Sequence, residues 1–216
     1  MYRAIYLVMV LSWVYLSLGT PSLRAKNPGS ELAAPSAATW PQWRGVGRDS
    51  KLMGSAPWPD RLAAPALEQS WRVELGPSYS SPVVSSSLVF VTETVDQKRE
   101  VVRALDRATG AEQWQASWEG AMTVPFFAKA NGDWIRATPA FDGQTLFVAG
   151  MRDVLVAIDA SNGQVRWQVD FVKELGTPLP DFGFVSSPLV VGDHIYRFTE
   201  RTKKDCHDRG YSTLLD

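Results

Sequence analysis

Short hydrophobic runs of five or six residues recur along the middle of the chain, for example at residues 88–92, 101–106 and 145–149. Valine, leucine and phenylalanine dominate these runs, while glycine, aspartate, asparagine and serine separate them. Valine and phenylalanine favour β-strands, and an amphipathic helix would instead space its apolar positions three to four residues apart. Because Leu146, Phe147 and Val148 are apolar at successive positions, we expect both faces of that strand to be covered.

The runs belong to a repeat that occurs twice in full. The first copy opens at Pro82 and the second at Pro139, and a third copy opens at Pro188. Each full copy carries an aspartate, then a glycine four residues later, and then a tryptophan a further four residues on. These positions are Asp106, Gly110 and Trp114 in the first copy and Asp159, Gly163 and Trp167 in the second. Trp71 is interpreted as part of the last strand of a partial copy that precedes them.

The repeat length indicates the architecture. The three prolines are 57 and 49 residues apart, which suits four short strands with their turns, the content of one propeller blade. Asp142-Gly143 and Gly192-Asp193 fall between apolar runs, where tight hairpin turns are expected. We therefore predict an all-β fold, a partial β-propeller of about three blades. Each blade is a four-stranded antiparallel sheet, and the ring is not closed because closed propellers have 4–8 blades.

The segments 104–110 (Ala-Leu-Asp-Arg-Ala-Thr-Gly) and 157–163 (Ala-Ile-Asp-Ala-Ser-Asn-Gly) are each followed by a tryptophan four residues later. They resemble the repeat of pyrroloquinoline-quinone (PQQ) enzymes and of the outer-membrane-assembly propeller lipoproteins. The resemblance covers about residues 40–198. The opening Trp-Pro-Gln-Trp-Arg-Gly at residues 40–45 is similar to the start of exported bacterial proteins with this repeat.

The repeated residues are predicted to hold the scaffold together. Each aspartate should accept hydrogen bonds from backbone N–H groups of the following turn, and each glycine should take the left-handed conformation that ends it. Each tryptophan should lie in an outer strand, pack on the next blade and donate its indole N–H to a carbonyl. The resemblance implies that this tryptophan docks blade to blade. The predicted docking and turn residues are Trp71, Asp106, Gly110, Trp114, Asp159, Gly163 and Trp167.

Both ends of the chain differ from the repeats. Arg3 precedes a nearly unbroken apolar run at residues 4–19, which predicts a signal peptide at 1–19 with an uncleaved anchor as the alternative. Residues 20–39 are predicted to be a flexible Pro/Ala/Ser linker, and residues 40–198 the repeat region. We therefore predict export to the periplasm or the extracellular space. After Phe198 the third copy stops matching, so residues 199–216 are predicted to be a divergent tail of a truncated or frameshifted frame.

The composition narrows the classes of partner that the chain can bind. A net charge of -1 provides no positive field for a phosphate backbone, so nucleic acid is not expected as a partner. A single cysteine excludes disulfides within the chain, so packing has to hold the fold together. Stable membrane insertion is not expected once the signal is cleaved. The predicted partner is a protein or another envelope component. Open blade edges are also expected to allow self-association.

No residue is assigned a catalytic, cofactor-binding or metal-binding role. Adjacent cysteines, which many quinone dehydrogenases carry, are absent, and no calcium-loop spacing of acids occurs. His194 is interpreted as a surface residue, and residues 205–208 (Asp-Cys-His-Asp) do not converge from separate elements as metal ligands do. The acids interpreted as exposed turn formers are Asp133, Asp142, Asp153, Asp170 and Asp181.

The sequence favours a binding or scaffold module over an enzyme. The first alternative is a fragment of a PQQ-dependent quinoprotein dehydrogenase, which would bring PQQ and calcium as cofactors. A second alternative is a carbohydrate-binding propeller that uses exposed rings such as Trp58 and Trp134.

Overall fold

A computed structural model describes residues 39–52, 60–61, 68–198 and the backbone of 212–215. The predicted signal peptide (1–19), nearly all of the predicted linker (20–39), most of the predicted tail and Trp58 lie outside the described residues. Within the described part, no helix is long and apolar enough to cross a bilayer.

The described strands form three antiparallel sheets that follow one another along the chain. The first sheet consists of β1 (Val83–Val84), β2 (Leu88–Val95), β3 (Arg99–Asp106) and β4 (Glu112–Glu119). The second sheet consists of β5 (Ala140–Phe141), β6 (Thr145–Gly150), β7 (Val154–Asp159) and β8 (Val165–Asp170). The third sheet consists of β9 (Leu189–Val191), β10 (His194–Phe198) and β11 (Ser212–Leu215).

In the first two sheets the four strands lie side by side in chain order, joined by hairpins. The connection from β4 to β5 contains a short 3-10 helix (Phe126–Asn131), and the connection from β8 to β9 begins with α1 (Phe171–Leu175). The predicted all-β class, with four-stranded antiparallel sheets that are not closed into a ring, is confirmed.

The third sheet keeps the register of the other two. Leu215 lies opposite Ile195, as Ile158 lies opposite Leu146 in the second sheet and Leu105 opposite Val89 in the first. Ser212–Leu215, which the sequence analysis assigned to the divergent tail, therefore pairs as the third strand of this sheet. More residues separate β10 from β11 than separate β2 from β3 or β6 from β7. The repeat pattern is based on spacing and therefore missed this match.

Apolar side chains fill the two contact surfaces between consecutive sheets. The first seam, between the first and second sheets, contains a buried cluster that includes Phe90, Trp114 and Ile158. The second seam, between the second and third sheets, contains a cluster that includes Phe147 and Ile195. Successive apolar residues in β6 serve both seams, because its two faces point to different neighbours.

Candidate functional site

The aspartate of the first repeat organises the turn between β3 and β4. The Asp106 carboxylate accepts hydrogen bonds from the Ala108 N–H (3.0 Å), the Thr109 N–H (2.8 Å) and the Thr109 hydroxyl (2.9 Å). These hydrogen bonds, led by the Thr109 hydroxyl, hold the pKa of Asp106 below its usual value. Gly110 has a φ of 75°, and the Trp71 indole donates to the Arg107 carbonyl of this turn at 2.9 Å.

The second repeat builds the same turn between β7 and β8. Asp159 accepts from the Ser161 hydroxyl (2.6 Å) and N–H (2.9 Å), and its other oxygen pairs with Arg166 at 2.7 Å. These contacts, the Ser161 hydroxyl first, lower the pKa of Asp159 to about 2. The Trp114 indole of the first sheet donates to the Ala160 carbonyl at 2.9 Å. Gly163 has a φ of 79°, and a Cβ there would lie 2.7 Å from the Trp114 ring.

Trp71 and Trp114 thus meet successive Asp–Gly turns in the same way. Trp167 is only half-buried and lies 6.0 Å from the Phe147 ring, centroid to centroid. No third Asp–Gly turn lies among the residues that the structure describes, so the docking role of Trp167 stays a prediction.

A fully buried acid that the sequence analysis did not single out crosses the first seam. Glu100 on β3 is 0% exposed, and its carboxylate accepts from the Trp118 indole at 2.7 Å. Its other oxygen accepts from the backbone N–H of Met151, in the β6–β7 turn of the second sheet, at 2.6 Å. Burial raises the pKa of Glu100, and the hydrogen bonds from Met151 and Trp118 oppose that rise.

The interpretation of Asp153 as an exposed turn acid is wrong. Its side chain is buried and forms an ion pair with Arg197 of β10, across the second seam. The Arg197 guanidinium lies 3.7 Å from the centroid of the Phe171 ring and 4.5 Å from that of Phe184. Burial lowers the pKa of Arg197 to about 9. Glu100 and Asp153 each lie six residues before the turn aspartate of their repeat, a signal that was present in the sequence.

Three of the other turn acids have local roles. Asp142 accepts from the Gln144 and Thr145 N–H groups, and Asp133 accepts from the Val124 N–H. Asp170 caps α1 by accepting from the Lys173 N–H at 3.1 Å, and its pKa is lowered. These carboxylates order loops of the chain itself.

Hydroxyl groups before the repeat prolines link the sheets near their first strands, β1, β5 and β9, whose free sides are here called the inner edges. The Ser81 N–H donates to the Thr138 hydroxyl at 3.1 Å, across the first seam. The Thr138 N–H in turn donates to the Ser187 hydroxyl at 3.0 Å, across the second seam. The Ser/Thr-Pro dipeptides therefore join each sheet to the next.

An exposed apolar surface, here called the aromatic face, lies at one end of the sheets. It consists of Phe126, Phe127 and Phe182, which are 84%, 67% and 51% exposed. The β4–β5 and β8–β9 connections supply these residues and leave the sheets at the same end. The rings of Phe127 and Phe182 lie 6.0 Å apart.

Met151 supports this face from below. It is fully buried and packs with Val124 and Ala128 of the β4–β5 connection. Its carbonyl accepts from the Phe184 N–H of the β8–β9 connection at 2.9 Å. Since the Met151 N–H donates to Glu100, one buried turn ties both connections to the first sheet. Trp134, a suggested carbohydrate-stacking ring, is half-buried and lies 5.2 Å from the Tyr79 ring.

A groove of about 790 Å³ lies at the opposite end of the sheets. The turns Ser85–Ser87 and Asp142–Gln144 form its walls, and Phe141, Pro41 and Val190 also border it. Among the residues that the structure describes, no group of three or more His, Cys, Asp or Glu side chains is placed to hold a metal ion.

Comparison with protein families gives a match over just over half of the chain. The family model described as "Outer membrane protein assembly factor BamB" matches residues 98–208. Among curated proteins, the serine/threonine-protein kinase AfsK of Streptomyces griseus is 28% identical over 117 residues. That alignment covers 54% of this chain and 12% of the kinase, so the chain spans about an eighth of this relative.

Solved structures of propeller proteins resemble the chain in part. BamB from Moraxella catarrhalis matches with a TM-score of 0.43 and 22% identity, covering 59% of this chain and 36% of that protein. A europium-containing methanol dehydrogenase matches with a TM-score of 0.44 and 19% identity, covering 65% of this chain and 23% of the enzyme.

Proposed function

The chain belongs to the PQQ-like repeat family whose model is described as outer membrane protein assembly factor BamB, and on this premise we propose that it is an exported propeller module that binds a protein of the cell envelope through its aromatic face. The observation that carries the proposal is the exposure of Phe126, Phe127 and Phe182 side by side on one surface. Clustered exposed rings on a soluble surface are typical of protein-binding sites.

The aromatic face is suited to binding because the two connections that carry it are held in place without a partner. Its two connections are fixed by Met151, which is hydrogen-bonded to Glu100 on one side and to Phe184 on the other. A surface held in its bound conformation loses less conformational entropy on association. Aromatic side chains also supply large contact area with few rotatable bonds, which makes them frequent binding hot spots.

Site-specific photocrosslinking tests this proposal. A photoreactive phenylalanine analogue at Phe126 is expected to crosslink one discrete envelope protein, and the same analogue at Val165 provides the matched control. Val165 is 47% exposed on β8, away from the aromatic face. The double variant Phe127→Ser/Phe182→Ser should abolish the crosslink from position 126 while the sheets stay folded by circular dichroism. Equal crosslinking from positions 126 and 165 would contradict a specific face.

The first alternative given in the sequence analysis, a dehydrogenase fragment, predicts a different result. A fragment of a quinoprotein dehydrogenase should bind PQQ in the presence of calcium, and titration of the purified chain with both measures this by absorbance. Saturable, calcium-dependent binding would favour that alternative over the scaffold.

A further inference from the structure

Beside the groove, the chain already pairs an extended piece of its own polypeptide with two sheet edges. Trp40 and Val84 exchange two backbone hydrogen bonds, of 2.8 Å from the Trp40 N–H and 2.9 Å from the Val84 N–H. The next residue, Pro41, accepts from the Phe141 N–H at 2.8 Å. The segment therefore adds to the inner edge of the first sheet and then crosses to the inner edge of the second.

The inner strand of the third sheet offers the same position. Val190 lies opposite Ile195, as Val84 lies opposite Val89 and Phe141 opposite Leu146. In an antiparallel pair, alternate residues turn their N–H and C=O groups away from the partner strand. The N–H groups of Val84 and Phe141 do so, because both donate to the Trp40–Pro41 segment. By the same register, the N–H and C=O of Val190 face the inner edge.

The groove lining suits a strand with alternating side chains. The half-buried ring of Phe141 borders the groove, whereas Ser86 and Ser87 present hydroxyls in exposed positions. Successive side chains of a strand point to opposite sides, so one side can meet the Phe141 ring and the other the serine hydroxyls. Main-chain pairing supplies affinity in such strand addition, and alternate side chains supply selectivity.

We propose that this groove binds an extended segment of a partner protein, with alternating small apolar and hydroxyl side chains, which pairs with the main chain of Val190 as Trp40 pairs with Val84. The site lies at the end of the sheets opposite the aromatic face and does not depend on the function proposed for that face.

A defined peptide tests the proposal on the full chain. The probe is a capped, fluorescein-labelled seven-residue peptide of alternating valine and threonine, titrated by fluorescence polarisation. A copy with N-methylated amides along one edge carries the same side chains but cannot pair through that edge. Loss of two or more backbone hydrogen bonds is expected to weaken binding at least about tenfold. Equal binding of both peptides, or no binding of the unmodified peptide at 1 mM as an order-of-magnitude ceiling, overturns the proposal.

Amide hydrogen exchange on the unmutated protein locates the contact. Saturating peptide should slow exchange of the Val190 N–H by about tenfold or more and leave the Val84 N–H, already bonded to Trp40, unchanged. Exchange at Val190 that does not slow when peptide is bound overturns the proposal. Ser86→Trp, which fills the groove, should abolish binding, and Gln113→Trp on the exposed part of β4 should not. The double variant Phe127→Ser/Phe182→Ser should bind the peptide normally, which separates this test from that of the aromatic face.

Discussion

The first and second seams place an acid at the same repeat position but give it different partners. In the first seam Glu100 accepts hydrogen bonds from two neutral donors, an indole and a backbone N–H. In the second seam Asp153 pairs with the guanidinium of Arg197, which lies against the rings of Phe171 and Phe184. The repeat therefore fixes where a buried acid sits, whereas its partners differ. Glu100 has one donor on its own sheet and one on the next, and Asp153 has its cation on the next sheet.

The tryptophans show the same contrast. Trp114 is 9% exposed and reaches the Asp–Gly turn of the second sheet, where its ring lies over Gly163. Trp167 is half-buried and packs beside Phe147 in the second seam. We infer that the first seam depends mainly on a docked ring, and the second mainly on an ion pair enclosed by rings. The following changes test this difference, in order of decreasing effect.

Arg197→Met should lower the free energy of unfolding by about 3 to 5 kcal/mol, because it leaves the Asp153 carboxylate buried without its cation. The double variant Asp153→Asn/Arg197→Met removes both charges and should recover more than half of the loss. Urea unfolding followed by circular dichroism measures both. A cost below about 1 kcal/mol for Arg197→Met would show that the pair is not what holds the second seam.

Trp114→Ala should cost about 3 to 5 kcal/mol, because it removes a buried ring and its hydrogen bond to Ala160. Trp167→Ala should cost about 1 to 3 kcal/mol, since less of its surface leaves water. Urea unfolding monitored by circular dichroism avoids the change in tryptophan fluorescence. Equal losses for the two variants would contradict the assignment of the docked ring to the first seam.

Gly163→Ala should destabilise the chain by about 1 to 3 kcal/mol more than Gly143→Ala. Both glycines have positive φ, so both variants carry backbone strain. Only at Gly163 would the new Cβ also meet the Trp114 ring, at 2.7 Å, while Gly143 has no atom within 4 Å of that position. Thermal unfolding of the two variants gives the comparison. The difference should disappear in a Trp114→Ala background.

Stability should fall as the pH rises above about 4.5, the ordinary pKa of a glutamate, because the folded pKa of Glu100 is raised. Its contribution is present at lower pH and is lost as the pH rises through the folded pKa. The slope attributable to one such group is at most about 1.4 kcal/mol per pH unit. Urea unfolding from pH 4 to 8 should show this slope in the wild-type chain relative to Glu100→Gln. Parallel curves for the two proteins would mean that Glu100 titrates alike in the folded and unfolded states.

The repeat pattern predicted the strands and the turns well, for local reasons. Runs of β-forming residues broken by Asp, Gly and Asn specify hairpins within a few residues of chain, as the turns of Asp106 and Asp159 show. Family membership followed from the same segments. The assignment of Ser212–Leu215 to a divergent tail shows the limit, since a longer connection before β11 conceals its register from a pattern based on spacing.

Sequence alone determined the all-β class, the blade repeat and the positions of its turn aspartates and glycines, because these depend on neighbours along the chain. The tertiary structure decided that Glu100 and Asp153 are buried and which partners they take. It also decided that three rings from two connections share one exposed face, and that Trp40 pairs with Val84 beside the groove. The physical reason is that burial and pairing across a seam depend on residues about 40 to 100 positions apart, which come together only when consecutive sheets pack.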